Sequence, residues 1–246
     1  MTPSPKRFLV IGLLTFVAGI VLLFPARVAY QWFVPEGIQL GGIEGSIWTG
    51  SAREMTGGGM YLRDVRWRMH PLRLFTGKLG IGIEAIPGSG FIEADLALGA
   101  GGNISVANLN GSGSLRAFVD VLKMPGLAGN VSLQFEVLEL QDGLPVAVVG
   151  TAAVDSLVAP LIDAASIGNY RMEFFTTENG VVASVEDADG AFDLAGSLTI
   201  SADRSYVFLG KVGATERTSD KLRQQLRFLG SPDARGQHEI RFEGSL

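Results

Sequence analysis

Seventeen consecutive residues, FLVIGLLTFVAGIVLLF at positions 8–24, carry no charge and no proline. An α-helix rises about 1.5 Å per residue, and a bilayer core takes roughly 17–25 such residues. The run sits at the short end of that range, and Pro25, Ala26 and the mixed segment 28–34 can extend it. A helix buried in a globular domain keeps a polar stripe, and this run has none. A cleaved signal peptide is the stronger competitor, but its apolar region is shorter and ends in a small-x-small site. Here the run leaves through Leu22, Leu23, Phe24 and Pro25. The sequence therefore predicts an uncleaved transmembrane anchor, with the lipid bilayer engaged through residues 8–24.

Orientation follows from charge. Lys6, Arg7 and the amino terminus precede the run, and Arg27, Glu36 and Glu44 follow it. Basic residues before a span favour a cytoplasmic amino terminus, and Arg27 opposes this only in part. Tyr30, Trp32 and Phe33 stand where an interfacial aromatic belt belongs. The chain divides into a cytoplasmic tail (1–7), an anchor with its interfacial collar (8–34) and one domain outside the cytoplasm (35–246).

That domain is long enough for a sizeable core. The net charge of −5 and the lack of a basic stripe argue against nucleic acid as a partner. With no cysteine in the chain, disulfides, thiolate metal sites and cysteine nucleophiles are excluded. The 33 glycines are scattered between short apolar runs, a pattern of many strands and tight turns.

Alternation places those strands. Val65, Trp67 and Met69 oppose Asp64, Arg66 and Arg68; Ile92, Ala94, Leu96 and Leu98 oppose Glu93 and Asp95. Asn179-Gly180 between two apolar runs is a strong hairpin signal. Helical spacing is confined to 115–123 and to 218–229, where Thr218 or Ser219 caps, Leu222, Leu226 and Leu229 form the stripe and Gly230 stops. The segment 157–165 reads as loop or short helix. The expected fold is all-β with one amino-terminal transmembrane helix. The body is an antiparallel meander forming a curved sheet or a β-sandwich, with one or two short helices.

Catalytic and metal chemistry is sparse. His70 and His238 have no second ligand at metal spacing. Glu93 and Asp95 read as a solvated face, and Glu186, Asp187 and Asp189 flank a turn without a dense oxygen-ligand loop. No phosphate loop or nucleophile elbow occurs, and no cofactor is expected. Trp48 and Trp67 are assigned to the core. Arg63, Arg66, Arg68 and Arg73 form the one cluster with a functional reading, a docking surface for an acidic partner or lipid headgroups. The bland reading is the wet face of a strand.

A resemblance rests on an ordered set of segments: the tail and anchor; Phe24-Pro25-Ala26; LGGIEGSIWTGSA at 40–52; LRDVRW at 62–67 with 71–80 behind it; IGNY at 167–170; FDLAGSL at 192–198; and 222–230 with the closing 236–246. In these the chain resembles the type II secretion system protein N family. The resemblance implies a bitopic inner-membrane protein with a β-rich periplasmic domain. It implies a non-catalytic accessory or scaffolding role in protein secretion, with other inner-membrane components, particularly protein C, as partners. The alternative from another class is a lipid- or hydrophobe-handling module like the AsmA-like proteins. A dry, filled core favours the scaffold, and an apolar trough open to solvent favours the carrier.

Overall fold

The computed structural model describes residues 5–35, 37–71, 73, 77–99, 101–119, 125–160 and 162–245. Helix α1 (Pro5–Leu22) comprises most of the apolar run. It does not continue into the collar. Pro25 is extended, at φ −66° and ψ 134°, and has no N–H to carry the helical ladder across. A second helix, α2 (Ala26–Phe33), starts behind it. Instead of lengthening α1, α2 lies against the body: Ala26 is buried with Ile43, Ala52, Val65 and Ala85, and Arg27 Nε donates to the Ile43 carbonyl at 2.7 Å. Among the described residues no helix is long and apolar enough to cross a membrane.

Among the described residues the body is one antiparallel sheet of fourteen strands. They are β1 (Gln39–Gly41), β2 (Glu44–Gly45), β3 (Thr49–Gly57), β4 (Met60–His70), β5 (Lys78–Ile86), β6 (Gly90–Gly99) and β7 (Ile104–Ser114). Then come β8 (Ala128–Gln141), β9 (Leu144–Ala159), β10 (Asp163–Thr177), β11 (Gly180–Gly190), β12 (Phe192–Ile200), β13 (Ser205–Ala214) and β14 (His238–Ser245). From β3 to β14 every strand pairs with the next in sequence, while β1 and β2 both pair with β3. The expected meander is present, and it forms a single sheet, not the two layers of a sandwich. The segment 157–165 is mostly strand, the end of β9 and the start of β10. The described part of 115–123 is helical, a 3-10 turn at Leu115–Phe118 followed by helical Val119, and positions 120–124 lie outside the described residues.

Opposed residues of an antiparallel pair share a face, so the register traces each face across the sheet. One row runs Ile81, Leu96, Val106, Leu138, Val148, and another runs Ala183, Leu198, Phe208, Phe242. Both lie on one apolar face. The opposite face carries Arg66, Glu84, Glu93, Asn110, Gln134 and Thr151 in register.

The apolar face is covered in three places. α2 and Ile43, in the turn between β1 and β2, cover β3 to β5. The 3-10 turn and Leu127 cover Val131. A helix α3 (Asp220–Leu226) lays Leu222 and Leu226 on Ala191, Phe192 and Val212. The Ser219 hydroxyl caps α3 by accepting from the Leu222 N–H at 3.3 Å. Leu229, the third member of the predicted stripe, is exposed instead.

Outside these covers the face is buried only in part, at the bend of the sheet, while Leu98, Ile104 and Phe242 stay 40, 36 and 59 % exposed. Val148, Val181 and Ala183 are only 3, 1 and 1 % exposed. Cα atoms of β9 and β11, two strands apart, come within 8 Å of each other. A flat sheet would hold them about 9.5 Å apart. The rings of Phe135 on β8 and Phe174 on β10 meet at 5.4 Å. Arg204 Nη2 donates to the Asp142 carbonyl at 3.3 Å, joining the turns that begin β13 and end β8. The sheet thus bends at β10 and fills the bend with its own side chains.

Glycine serves this packing. Phe208 lies across Gly196 and Gly210, where an added Cβ would come 2.6 and 3.0 Å from its ring. Trp67 covers Gly50 and Tyr206 covers Gly244 in the same way.

Candidate interaction surface

The arginine cluster sits on β4 and the turn behind it, and a bulge decides how it is displayed. Strict alternation from Val65 and Trp67 would put Arg63 on the apolar face. Asp64 takes a positive φ of 49°, and the β4–β5 register shifts between Arg63 and Arg66. The extra residue returns Arg63 to the polar face, opposite Ile86, while Leu62 joins the buried cluster. Arg63, Arg66 and Arg68 therefore share one face. Arg73 joins them by lying over Gly80, where an added Cβ would overlap its side chain.

The cluster is not a bare cationic patch. Arg66 is opposite Glu84, which is opposite Glu93, and Arg63 is opposite Glu54. Arg63 Nη2 donates to the Gly88 carbonyl at 2.8 Å, and Asn108 Nδ2 donates to Asp95 Oδ2 at 3.0 Å. A hollow of about 730 Å³ lies over this region, lined by Arg66, Arg68 and His70 together with Glu44, Glu84, Glu93 and Asp95. Its charge is mixed, with four carboxylates to two guanidinium groups among these residues. Such a surface suits a partner with both charges better than a row of phosphates.

Other candidates have structural partners. Asp187 Oδ1 accepts from the Leu194 N–H at 2.9 Å, and Asp189 pairs with Arg217. His238 is buried opposite Val212, and its Nδ1 has no hydrogen-bond partner in the structure. Among the described residues no group of His, Asp and Glu is placed to hold a metal ion.

Trp48 is not a core residue. Its indole Nε1 donates to the Val21 carbonyl at 2.8 Å, in the last turn of α1. The Ile47 N–H donates to the Phe24 carbonyl at 3.0 Å, and Pro25 bridges to Ser46. These bonds tie the end of α1 to the β2–β3 turn. The sequence marks Trp48 as an aromatic among glycines and gives no sign of this role. Trp67 packs against the buried cluster, as expected.

The family model described as type II secretion system (T2SS), protein N, matches residues 36–241. The chain belongs to this family. Type II secretion system protein N of Vibrio cholerae serotype O1 is 25% identical over 264 aligned positions, covering 98% of this chain and 100% of the relative. The protein of the same name from Aeromonas hydrophila is 26% identical over 80 positions, 32% of each chain. No solved structure matches. The chain is thus a component of type II protein secretion, and the match spans the sheet from its first strand into its last.

Proposed function

We propose that this chain is a single-pass inner-membrane component whose sheet stands in the periplasm as a non-catalytic platform for other secretion components, protein C first among them. The apolar run 8–24, which α1 alone does not complete, crosses the bilayer with Lys6 and Arg7 on the cytoplasmic side. Residues 8–22 of α1 rise about 22 Å and Leu23 and Phe24 add about 3 Å, against a core of about 30 Å. A shortfall of that size costs fractions of a kcal/mol per Å and is met by local thinning or snorkelling. The observation that carries the reading is the strap between α1 and the β2–β3 turn. A plain tether needs no such bonds; a platform held at a set height above a membrane does.

Burial at the bend of the sheet supports the platform over the hydrophobe carrier. Val148, Val181 and Ala183 are sealed by the sheet's own bend, where a carrier would need an open trough. The mixed-charge hollow around Arg66 and Arg68 offers a partner surface on the opposite face. The test is co-purification of the full chain, solubilised from membranes, with tagged protein C. Recovery of the chain with protein C is expected. A chain found in membranes but never with other secretion components would refute the platform.

A further inference from the structure

The sheet has two edges, and they are treated differently. β1 is three residues long, and a side chain blocks it: the Tyr30 hydroxyl donates to the Ile38 carbonyl at 3.2 Å and accepts from the Leu40 N–H at 3.4 Å. At the other edge β14 is eight residues long, HEIRFEGS, with no proline. Its register with β13 runs from Val212↔His238 to Ser205↔Ser245 without a shift. Among the described residues β14 pairs with β13 alone. Exposed edges are commonly blunted by bulges, prolines or charges pointing inward. β14 has no bulge or proline, and its charged residues Glu239, Arg241 and Glu243 all lie on the polar face. On the apolar face it presents Ile240 and Phe242, and Phe242 is 59 % exposed although its ring stacks on Phe208.

We propose that β14 receives an extended strand from another secretion component, which continues the sheet by one strand. This deepens the platform reading and rests on it. Main-chain bonds to the free edge supply affinity, and alternate side chains supply selection. On the apolar face the incoming strand covers Ile240 and Phe242 with apolar residues. On the polar face it opposes Glu239, Arg241 and Glu243 in a basic–acidic–basic order. Opposite charges directly across a ladder stabilise, and like charges destabilise.

The test uses the full chain in detergent and a capped synthetic heptapeptide, Val-Lys-Val-Glu-Val-Lys-Val. The peptide reads the same in both directions, so it fits a parallel or an antiparallel ladder. Fluorescence anisotropy should show binding, with the charge-swapped Val-Glu-Val-Lys-Val-Glu-Val about tenfold weaker. Phe242→Lys should abolish binding. A chain carrying Glu239→Lys, Arg241→Glu and Glu243→Lys should invert the preference, a readout that a merely damaged fold does not give. Equal binding of the two peptides, or of neither, overturns the inference. If the chain still co-purifies with protein C while neither peptide binds, the edge is wrong and the platform stands. If co-purification also fails, the platform itself is wrong.

Discussion

Phe208 offers the sharpest test of the packing. Its ring lies over Gly196, and an alanine Cβ there would sit 2.6 Å from Cζ and 2.9 Å from Cε2, with the Leu209 carbonyl at 3.1 Å. Gly196 does not have a positive φ, so alanine suits its backbone and the clash is with the ring. Overpacking costs about 1–3 kcal/mol, and replacing a strand glycine returns about 0.5–1. Gly196→Ala should therefore lose about 1–2 kcal/mol. Removal of a fully buried Phe costs about 3–5 kcal/mol, and for half-buried Phe208 about 2 is expected. In the double variant the new methyl occupies space the ring has left. The combined loss should fall about 1–2 kcal/mol short of the sum, a coupling typical of residues in contact. The assay is thermal unfolding of the full chain in mild detergent, where each kcal/mol moves the midpoint by about 2–4 °C. Losses that add to within about 0.5 kcal/mol would refute the account of why glycine stands at 196.

Three further outcomes follow from other parts of the structure. Tyr30→Phe removes both bonds that block β1, so it should cost about 1–2 kcal/mol and speed amide exchange at Leu40; unchanged exchange would contradict the edge assignment. A chain starting at Pro25 should be soluble and monodisperse, whereas one starting at 35 loses α2, exposes Ile43, Ala52 and Val65 and should melt lower; equal midpoints would return α2 to the anchor. The Asp233 carboxyl is held at about 2, down from 3.8, chiefly by the Gln237 N–H, then by Lys211 and the Arg235 N–H. Its folded value lies below its unfolded one, so its contribution is complete above about pH 4 and fades as pH falls towards 2. Asp233→Asn should remove that part of the acid dependence, and an unchanged acid limb would contradict it.

Strand order was legible because the sheet is a meander whose alternation is local: Leu79, Ile81 and Ile83 or Ile92, Ala94 and Leu96 state their face within a few residues. The Asn179-Gly180 turn and the Ser219 cap are likewise local chemistry. Three features were not legible for physical reasons. The bulge at Asp64 reverses a face, and a positive φ at an aspartate leaves no mark in hydropathy. The segment 157–165 reads ambiguously because β9 and β10 shift register repeatedly near Asp163, Ser166 and Gly168, which breaks the period of two. The split at Pro25 could be suspected from proline, but the docking of α2 depends on Ile43 and Val65, contacts that exist only once the sheet has formed. For the interaction surface, the arginines were visible as a cluster. Their opposed carboxylates on β5 and β6 became neighbours only through the register, which turns a cationic patch into a mixed one. Tyr30 and Trp48 act through single hydroxyl and indole bonds to distant backbone, and sequence carries no signal for such bonds.

The central claim is that α1 holds the whole sheet on the far side of the inner membrane. The chain has no cysteine, so one can be introduced where labelling is unambiguous. Phe228, 84 % exposed beside α3, is such a place. In intact spheroplasts carrying full-length Phe228→Cys, a membrane-impermeant maleimide should label the chain as fully as it does after lysis. Labelling that needs lysis would place the sheet in the cytoplasm and contradict the claim.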